Sequence, residues 1–409
     1  MYIHCNNYSI SIYSKYGEGG KITPKRILFI HTAGYFFPIP RVHTMAEALS
    51  KEGYDVSVVC VDQSMNESYK EINGVKVLNL SSKINSGSNK YFKFIYSMRE
   101  ILKLSLESKP DIIQFFSPLF IPFAVYLKNK LNCKLIYDCY EYWLGSALTS
   151  KNYHLGIFYI FCHLLGSMSI DGIIYVYEKN PTRKFFNTLN KHIFDCIVYN
   201  VPEDQILPKN PIEKKMENLF PKNEAIFVIG YLGLVMPFKG YETAIKSMNY
   251  LGEEFKLLII GDSLDLKFKE KINSMIQDNN LDSRIVFTGI LPHNEALEYS
   301  KSCDIGLLLF EDSYWTKYST PNKLFEYMAL GVPVVSTDLP NIRFFINKYL
   351  FGVTISKNDP FLLAECIKNL KGNKGHLEML GINGNSTFNE NFTSEFQMQK
   401  LMSLYSKIT

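Results

Sequence analysis

Apolar residues in the first half of the chain alternate between short continuous runs and stretches of helical spacing. Arg26-Ile27-Leu28-Phe29-Ile30-His31 reads as a buried strand, followed by Gly34, Pro38 and Pro40. The spacing of Val42, Met45, Ala46 and Leu49 predicts a helix over 41–51 that stops at Gly53. Residues 54–60 form the next strand, and strand–helix–strand opens a doubly wound α/β unit with a right-handed crossover. The alternation continues with strands at 75–80, 111–115, 134–137, 172–176 and 193–199, and helices at 92–106, 119–131 and 153–168. Only Gly34 follows the first strand, which argues against the glycine-rich turn of a nicotinamide dehydrogenase.

At 201–223 the composition changes. Four prolines (Pro202, Pro208, Pro211, Pro221) among many charges read as a linker. The α/β pattern then restarts, with strands at 226–231, 256–261, 285–287 and 305–309 and helices at 240–251, 266–279 and 294–300. A last helix at 392–408 offers Phe396, Leu401 and Tyr405 for packing. Two such units in succession predict two Rossmann-like domains facing a cleft, with ligands beyond the C-terminal ends of the strands.

The stretch Ser319 to Val335 reads as loop, helix and buried strand. Thr320 suits an N-cap, Pro321 the first helical position, and Gly331 a left-handed C-terminal stop. The strand then runs over 332–335. Leu324, Phe325, Met328 and Ala329 share the core-facing side, while Asn322 and Glu326, four residues apart, lie elsewhere. A carboxylate is thus held near a helix N-terminus whose free N–H groups favour an anion, which suits a nucleoside diphosphate with its ribose alongside. An amphipathic helix with a solvated Glu fits the same pattern.

A chain of 409 residues, 46% hydrophobic and 21% charged, has material for two or three domains with substantial cores. A net charge of +4 is too mild for nucleic-acid binding, and does not by itself establish attraction to an anionic membrane. Eight cysteines without a C-x-x-C pair read as reduced thiols of a cytoplasmic protein. The first twenty residues lack the order of a signal peptide and read as a flexible extension. The run from Leu155 to Leu165 is too short to span a bilayer and reads as a buried helix rather than one lying on a membrane.

Gly233 and Lys239 bracket the first strand-to-helix turn of the second half, where a lysine could clamp a diphosphate or simply sit on the surface. Lys239-Gly240, Phe287-Thr288-Gly289 and Cys303 to Leu307, followed by Pro321 to Val335, resemble the donor-binding half of retaining glycosyltransferases of family 4, which have the GT-B architecture. Pro40-Arg41-Val42, with Glu47, Leu49 and Gly53 downstream, is similar to that family's opening helix, and Tyr137 to Glu141 resembles its Tyr-Asp-x-His-Glu segment. The resemblance implies an acceptor-binding domain at 1–203, a nucleotide-sugar-binding domain at 204–385, and a closing helix at 386–409 that returns to the first domain.

Carried over residue by residue, the resemblance gives Glu326 the donor ribose and Lys239 the phosphates, as the catalytic pair. The Asn322, Lys323 and Leu324 amides then meet the diphosphate, with Gly233 and Thr320 nearby, and Gly289, Ile290 and Leu291 hold the base. His31, His43, Tyr140 and Glu141 are candidates for the acceptor side. Three positions depart from the family: Tyr318 replaces its first glutamate, Leu234 an arginine and Tyr140 a histidine. Glu311 or Asp312 is a substitute for Tyr318 at the sugar. The implied reaction moves a sugar from a UDP- or GDP-linked donor, with retention, to a hydroxyl of a lipid-linked capsule or lipopolysaccharide glycan. It needs no metal or resident cofactor, and implies a cytoplasmic site with peripheral contact at the inner membrane face. A sugar-nucleotide epimerase of the same architecture and an inert sugar-nucleotide-binding protein are the alternatives.

Overall fold

The computed structural model describes residues 24–31, 40–61, 68–81, 90–208, 219–220 and 226–409. Gly34, Pro38, the first twenty residues and most of the expected linker lie outside them. Continuous apolar runs became strands buried on both faces, as parallel sheets require.

The first lobe comprises β1 (Arg26–His31), α1 (Pro40–Lys51), β2 (Asp55–Cys60), β3 (Tyr69–Ile72), β4 (Val75–Asn79), α2 (Lys90–Ser108) and β5 (Ile112–Phe115). It continues through α3 (Ile121–Leu131), β6 (Lys134–Cys139), α4 (Trp143–Thr149), α5 (Tyr153–Ser167), β7 (Gly172–Tyr175), α6 (Pro181–Leu189) and β8 (Phe194–Ile197). Among the described residues its sheet has the order β3-β4-β2-β1-β5-β6-β7-β8, parallel except for the β3–β4 pair. The connections reverse direction at β1, where Ile27 sits between Val56 of β2 and Ile112 of β5.

The second lobe runs β9 (Phe227–Leu232), α7 (Tyr241–Ser247), β10 (Phe255–Ile260), α8 (Leu266–Asp278), β11 (Ile285–Phe287), α9 (His293–Lys301), β12 (Ile305–Leu308), α10 (Asn322–Leu330) and β13 (Val334–Thr337). After these come α11 (Pro340–Tyr349), β14 (Gly352–Ile355), α12 (Pro360–Gly372), α13 (Lys374–Asn391) and α14 (Ser394–Ile408). Its order, β11-β10-β9-β12-β13-β14, is parallel throughout and reverses between β9 and β12. These are two doubly wound α/β lobes, as the periodicity predicts.

The last helix closes the first lobe. Tyr405 donates from its hydroxyl to Gln114 Oε1 at 2.6 Å, and Ile408 fills the space over Gly172, where a Cβ would lie 2.3 Å from its methyl carbon. Beneath it, Arg41 and Asp138 form a buried ion pair at 2.9 Å.

Two expectations need correction. The strand placed at 332–335 begins at Val334, because Gly331 turns left-handed (φ +69°) and Val332 and Pro333 complete the turn. The helix expected to be buried, α5, is buried on one face only: Ile157, Phe158, Ile160, Phe161 and Leu164 are exposed. All seven described cysteines are free thiols.

Candidate functional site

The site is built on α10. Tyr327 anchors that helix across β9, accepting from the Leu232 amide at 2.9 Å and donating to the Gly230 carbonyl at 3.3 Å. Its ring lies against Gly306, where a Cβ would approach to 2.5 Å, so β12 must carry glycine at this point. With that side locked into the core, Lys323 and Glu326 are left facing the gap between the lobes.

A cavity of about 440 Å³ fills this gap. Tyr140, Glu141, Tyr177 and Asn200 line it from the first lobe, and Gly233, Lys239, Tyr318, Thr320, Asn322, Lys323 and Glu326 from the second. A second cavity, of about 480 Å³, adds Arg41, Glu203 and His293 and shares Tyr140, Asn200, Asn322 and Glu326 with the first. Contacts cross the gap. Trp315 donates from Nε1 to Glu141 Oε1 at 2.8 Å and from its backbone to Thr149 Oγ1 at 3.2 Å, and Tyr142 and Tyr318 meet edge to face at 5.4 Å. Burial raises the Glu141 carboxyl, and the Trp315 bond opposes this.

Lys323 dominates the electrostatics. Its amine is buried without a hydrogen-bond partner, 4.7 Å from the centre of the Tyr231 ring and 5.6 Å from that of Phe310. Burial first, and then the charge of Lys239, lower it to about 7 against the opposing pull of Glu326. Burial also lowers Lys239, whose amine reaches the Leu234 carbonyl at 3.3 Å. Gly233 turns left-handed beside them (φ +114°), a conformation that favours glycine. Two cations turned into a cavity with one amine unsatisfied call for an anion.

Glu326 accepts at 2.9 Å from His293 Nε2, and this bond raises the histidine above its usual range. His293 was not foreseen. It opens α9, and nothing in the local periodicity connects it with a glutamate 33 residues later.

The remaining candidates divide. Tyr140 borders both cavities and Glu141 the first. His31 is fully buried edge-on against Phe116 at 5.4 Å and lines neither cavity, because the end of β1 is covered. His43 pairs with Glu47 at 2.8 Å along α1 and also lines neither. Thr320 is not the N-cap: Pro321 holds that position in extended geometry, and the buried Thr320 hydroxyl has no partner. The Leu324 amide already donates to the Pro321 carbonyl at 3.0 Å and its side chain lies in the core, which leaves the Asn322 and Lys323 amides at the open helix end. Gly289 (φ +75°), exposed Ile290 and core-packed Leu291 form the β11–α9 loop, outside the lining of both cavities. Glu311 and Asp312 lie outside it too, and Asp312 pairs with Lys317 at 3.4 Å.

Sucrose-phosphate synthase from Thermosynechococcus elongatus superposes on 94% of this chain and 99% of its own, with a TM-score of 0.76 at 16% identity. The fold is GT-B. Residues 226–373 of this GT-B chain match the family described as Glycosyl transferases group 1, and residues 26–132 match Glycosyl transferase 4-like. Anabaena HepE, solved with UDP-glucose, has a TM-score of 0.72 at 14% identity over 93% of this chain and 99% of its own. The Staphylococcus aureus capsular polysaccharide biosynthesis glycosyltransferase CapM is 26% identical over 209 residues, 49% of this chain and 50% of that one. The chain spans between 37% and 60% of the length of the first curated relatives it matches.

Proposed function

We propose that this GT-B chain transfers a sugar, with retention, from a nucleoside diphosphate sugar to a hydroxyl of a lipid-linked surface polysaccharide. The observation that carries the reading is the buried, unpartnered Lys323 amine beside Lys239, one helical turn from Glu326, in the gap between the lobes. Similarity to HepE, solved with UDP-glucose, supports a uridine donor, and similarity to CapM supports a polysaccharide product.

In this reading the diphosphate lies against Lys323, Lys239 and the open amides of α10, while Glu326, oriented by His293, takes the ribose hydroxyls. Negative charge grows on the leaving diphosphate oxygen as the bond to the sugar breaks. Fixed donors already aimed at that oxygen stabilise it without reorganisation. These groups carry the neutralising charge themselves, so no metal is assigned. Tyr318 stands at the cavity wall where the family pattern has a carboxylate, so sugar hydroxyls there meet a phenol.

Incubation with UDP- and GDP-sugars, with and without a polyprenyl-linked glycan, tests the proposal. Nucleoside diphosphate released only with acceptor supports transfer. Isomerised donor supports the epimerase, and binding without turnover supports the inert module. Glu326→Ala and Lys239→Ala are each expected to lower turnover about 100-fold or more while the chain stays folded. Full activity in either removes that residue from the machinery.

A further inference from the structure

We propose, resting on the donor site argued above, that Tyr177 determines specificity by binding a hydroxyl of the transferred sugar, and that this sugar is uncharged. Strands β6 and β7 pair in parallel, with Cys139 opposite Tyr175. The segments that leave their C-terminal ends, Tyr140 to Tyr142 and Val176 to Tyr177, therefore run side by side, and all five residues line the cavity of about 440 Å³.

Tyr177 is 1% exposed, and its hydroxyl has no hydrogen-bond partner. Burial first, and then Cys139, Tyr142 and Glu141, raise it far above the usual phenol range, so it stays a neutral O–H that can donate and accept. From the second lobe the Thr320 hydroxyl and the Lys323 amine, lining the same cavity, are also buried without partners. A polar atom shut away from water with nothing to bond costs stability, and three of them around one cavity point to a ligand that satisfies them. The diphosphate takes Lys323. Two hydroxyls, one from each lobe, are left for the sugar that the diphosphate carries. Tyr175 is just as buried and also unpartnered, but it lines neither cavity. It serves as the control.

The wall identifies the class of sugar. Tyr140, Tyr142 and Tyr177 line the cavity from the first lobe, and Trp315 and Tyr318 from the second. Aromatic walls with a few fixed hydroxyls fit a pyranose, whose C–H faces pack on rings while its hydroxyls take the polar contacts. Among the described residues no Lys, Arg or His of the first lobe lines this cavity, and its one carboxyl there is Glu141, held at Oε1 by Trp315 Nε1 at 2.8 Å. Both lysines on the opposite wall are committed to the diphosphate. A sugar carboxylate would enter beside an acid with no cation left to pair with it, and a buried unpaired charge is costly. An uncharged hexose meets no such obstacle.

Calorimetric titration of the full chain, without acceptor, with UDP, GDP, UDP-glucose, UDP-N-acetylglucosamine, GDP-mannose and UDP-glucuronate tests it. Tyr177→Phe removes one oxygen and keeps the ring. It should weaken the tightest-binding neutral nucleotide sugar about 3- to 10-fold and leave the bare nucleoside diphosphate unchanged. Its melting temperature should hold or rise, because no hydrogen bond within the protein is lost. Tyr175→Phe should bind every compound as wild type does. UDP-glucuronate should bind at least about ten-fold more weakly than UDP-glucose, and Glu141→Gln, which still accepts from Trp315, should narrow that gap. Unchanged sugar-nucleotide affinity in Tyr177→Phe, an equal loss for the bare diphosphate, the same loss in Tyr175→Phe, or a lowered melting temperature overturns the role of Tyr177. Glucuronate bound as tightly as glucose, or a gap that Glu141→Gln leaves intact, overturns the uncharged sugar. All of these leave the donor site standing so long as wild type binds UDP or GDP; if it binds neither, the donor site falls and Tyr177 with it.

Discussion

Replacing Lys323 with methionine should make the protein more stable while weakening its hold on a diphosphate. The amine is buried, has no hydrogen-bond partner, and lies close enough to Lys239 for the two charges to oppose each other. Lowering it from 10.5 to about 7 corresponds to a burden on the order of 5 kcal/mol when the group is charged. Exchanging a buried charge for a well-packed apolar group usually returns about 1–4 kcal/mol. At roughly 2–4 °C per kcal/mol for a lobe of this size, the melting temperature should rise by several degrees. The gain depends on pH. Below about 7 the amine is charged in both folded and unfolded chains and the full burden applies. Between about 7 and 10.5 the folded protein binds fewer protons than the unfolded chain, so wild-type stability climbs with pH and the advantage of methionine fades. UDP affinity should fall roughly 10- to 150-fold, the loss of a charge-assisted hydrogen bond worth about 1.5–3 kcal/mol. Differential scanning fluorimetry across pH 6–10 and calorimetric titration with UDP measure both effects. A destabilised variant, a gain independent of pH, or unchanged UDP affinity would refute the reasoning.

Other consequences concern the surroundings of α10. His293→Ala removes a histidine whose raised pKa comes from Glu326, so the stabilisation it contributes is complete below 6.5 and disappears as pH rises through the raised value. The variant should therefore melt below wild type in acid and match it in mild alkali, and a constant difference across pH would count against the pairing. Gly306→Val drives a side chain into the Tyr327 ring and should cost about 1–3 kcal/mol or more while loosening UDP binding, read by denaturant titration. Trp315→Phe removes the hydrogen bond to Glu141 across the gap, so small-angle scattering should give a larger radius of gyration. An unchanged radius would show that the lobes are held by other means.

Much of this architecture was legible in the pattern of apolar positions. Short runs bounded by polar residues placed β1 at Arg26–His31 and β11 at Ile285–Phe287 with the observed ends. What stayed hidden depends on meetings between distant segments. The His293–Glu326 contact exists only because the β11–α9 connection folds over α10. Residue preference favoured Thr320 as the cap, but Pro321 took the extended conformation and freed the threonine hydroxyl for the cavity. The position of His31 at a strand end suggested a rim, yet Phe116 covers it. In α5 apolar residues lie on all sides, and periodicity cannot say which face meets protein.

The path of α14 bears on how the polypeptide matures during synthesis. Gln397 accepts from the amide of Tyr199, 198 residues earlier, and Tyr405 reaches Gln114, 291 residues earlier. At translation speeds of about 5–20 residues per second, the completed first lobe waits some 10–40 s with part of one sheet face uncovered. Chaperone engagement of ribosome-bound chains should therefore persist until this helix emerges, long after the strands it covers have been made.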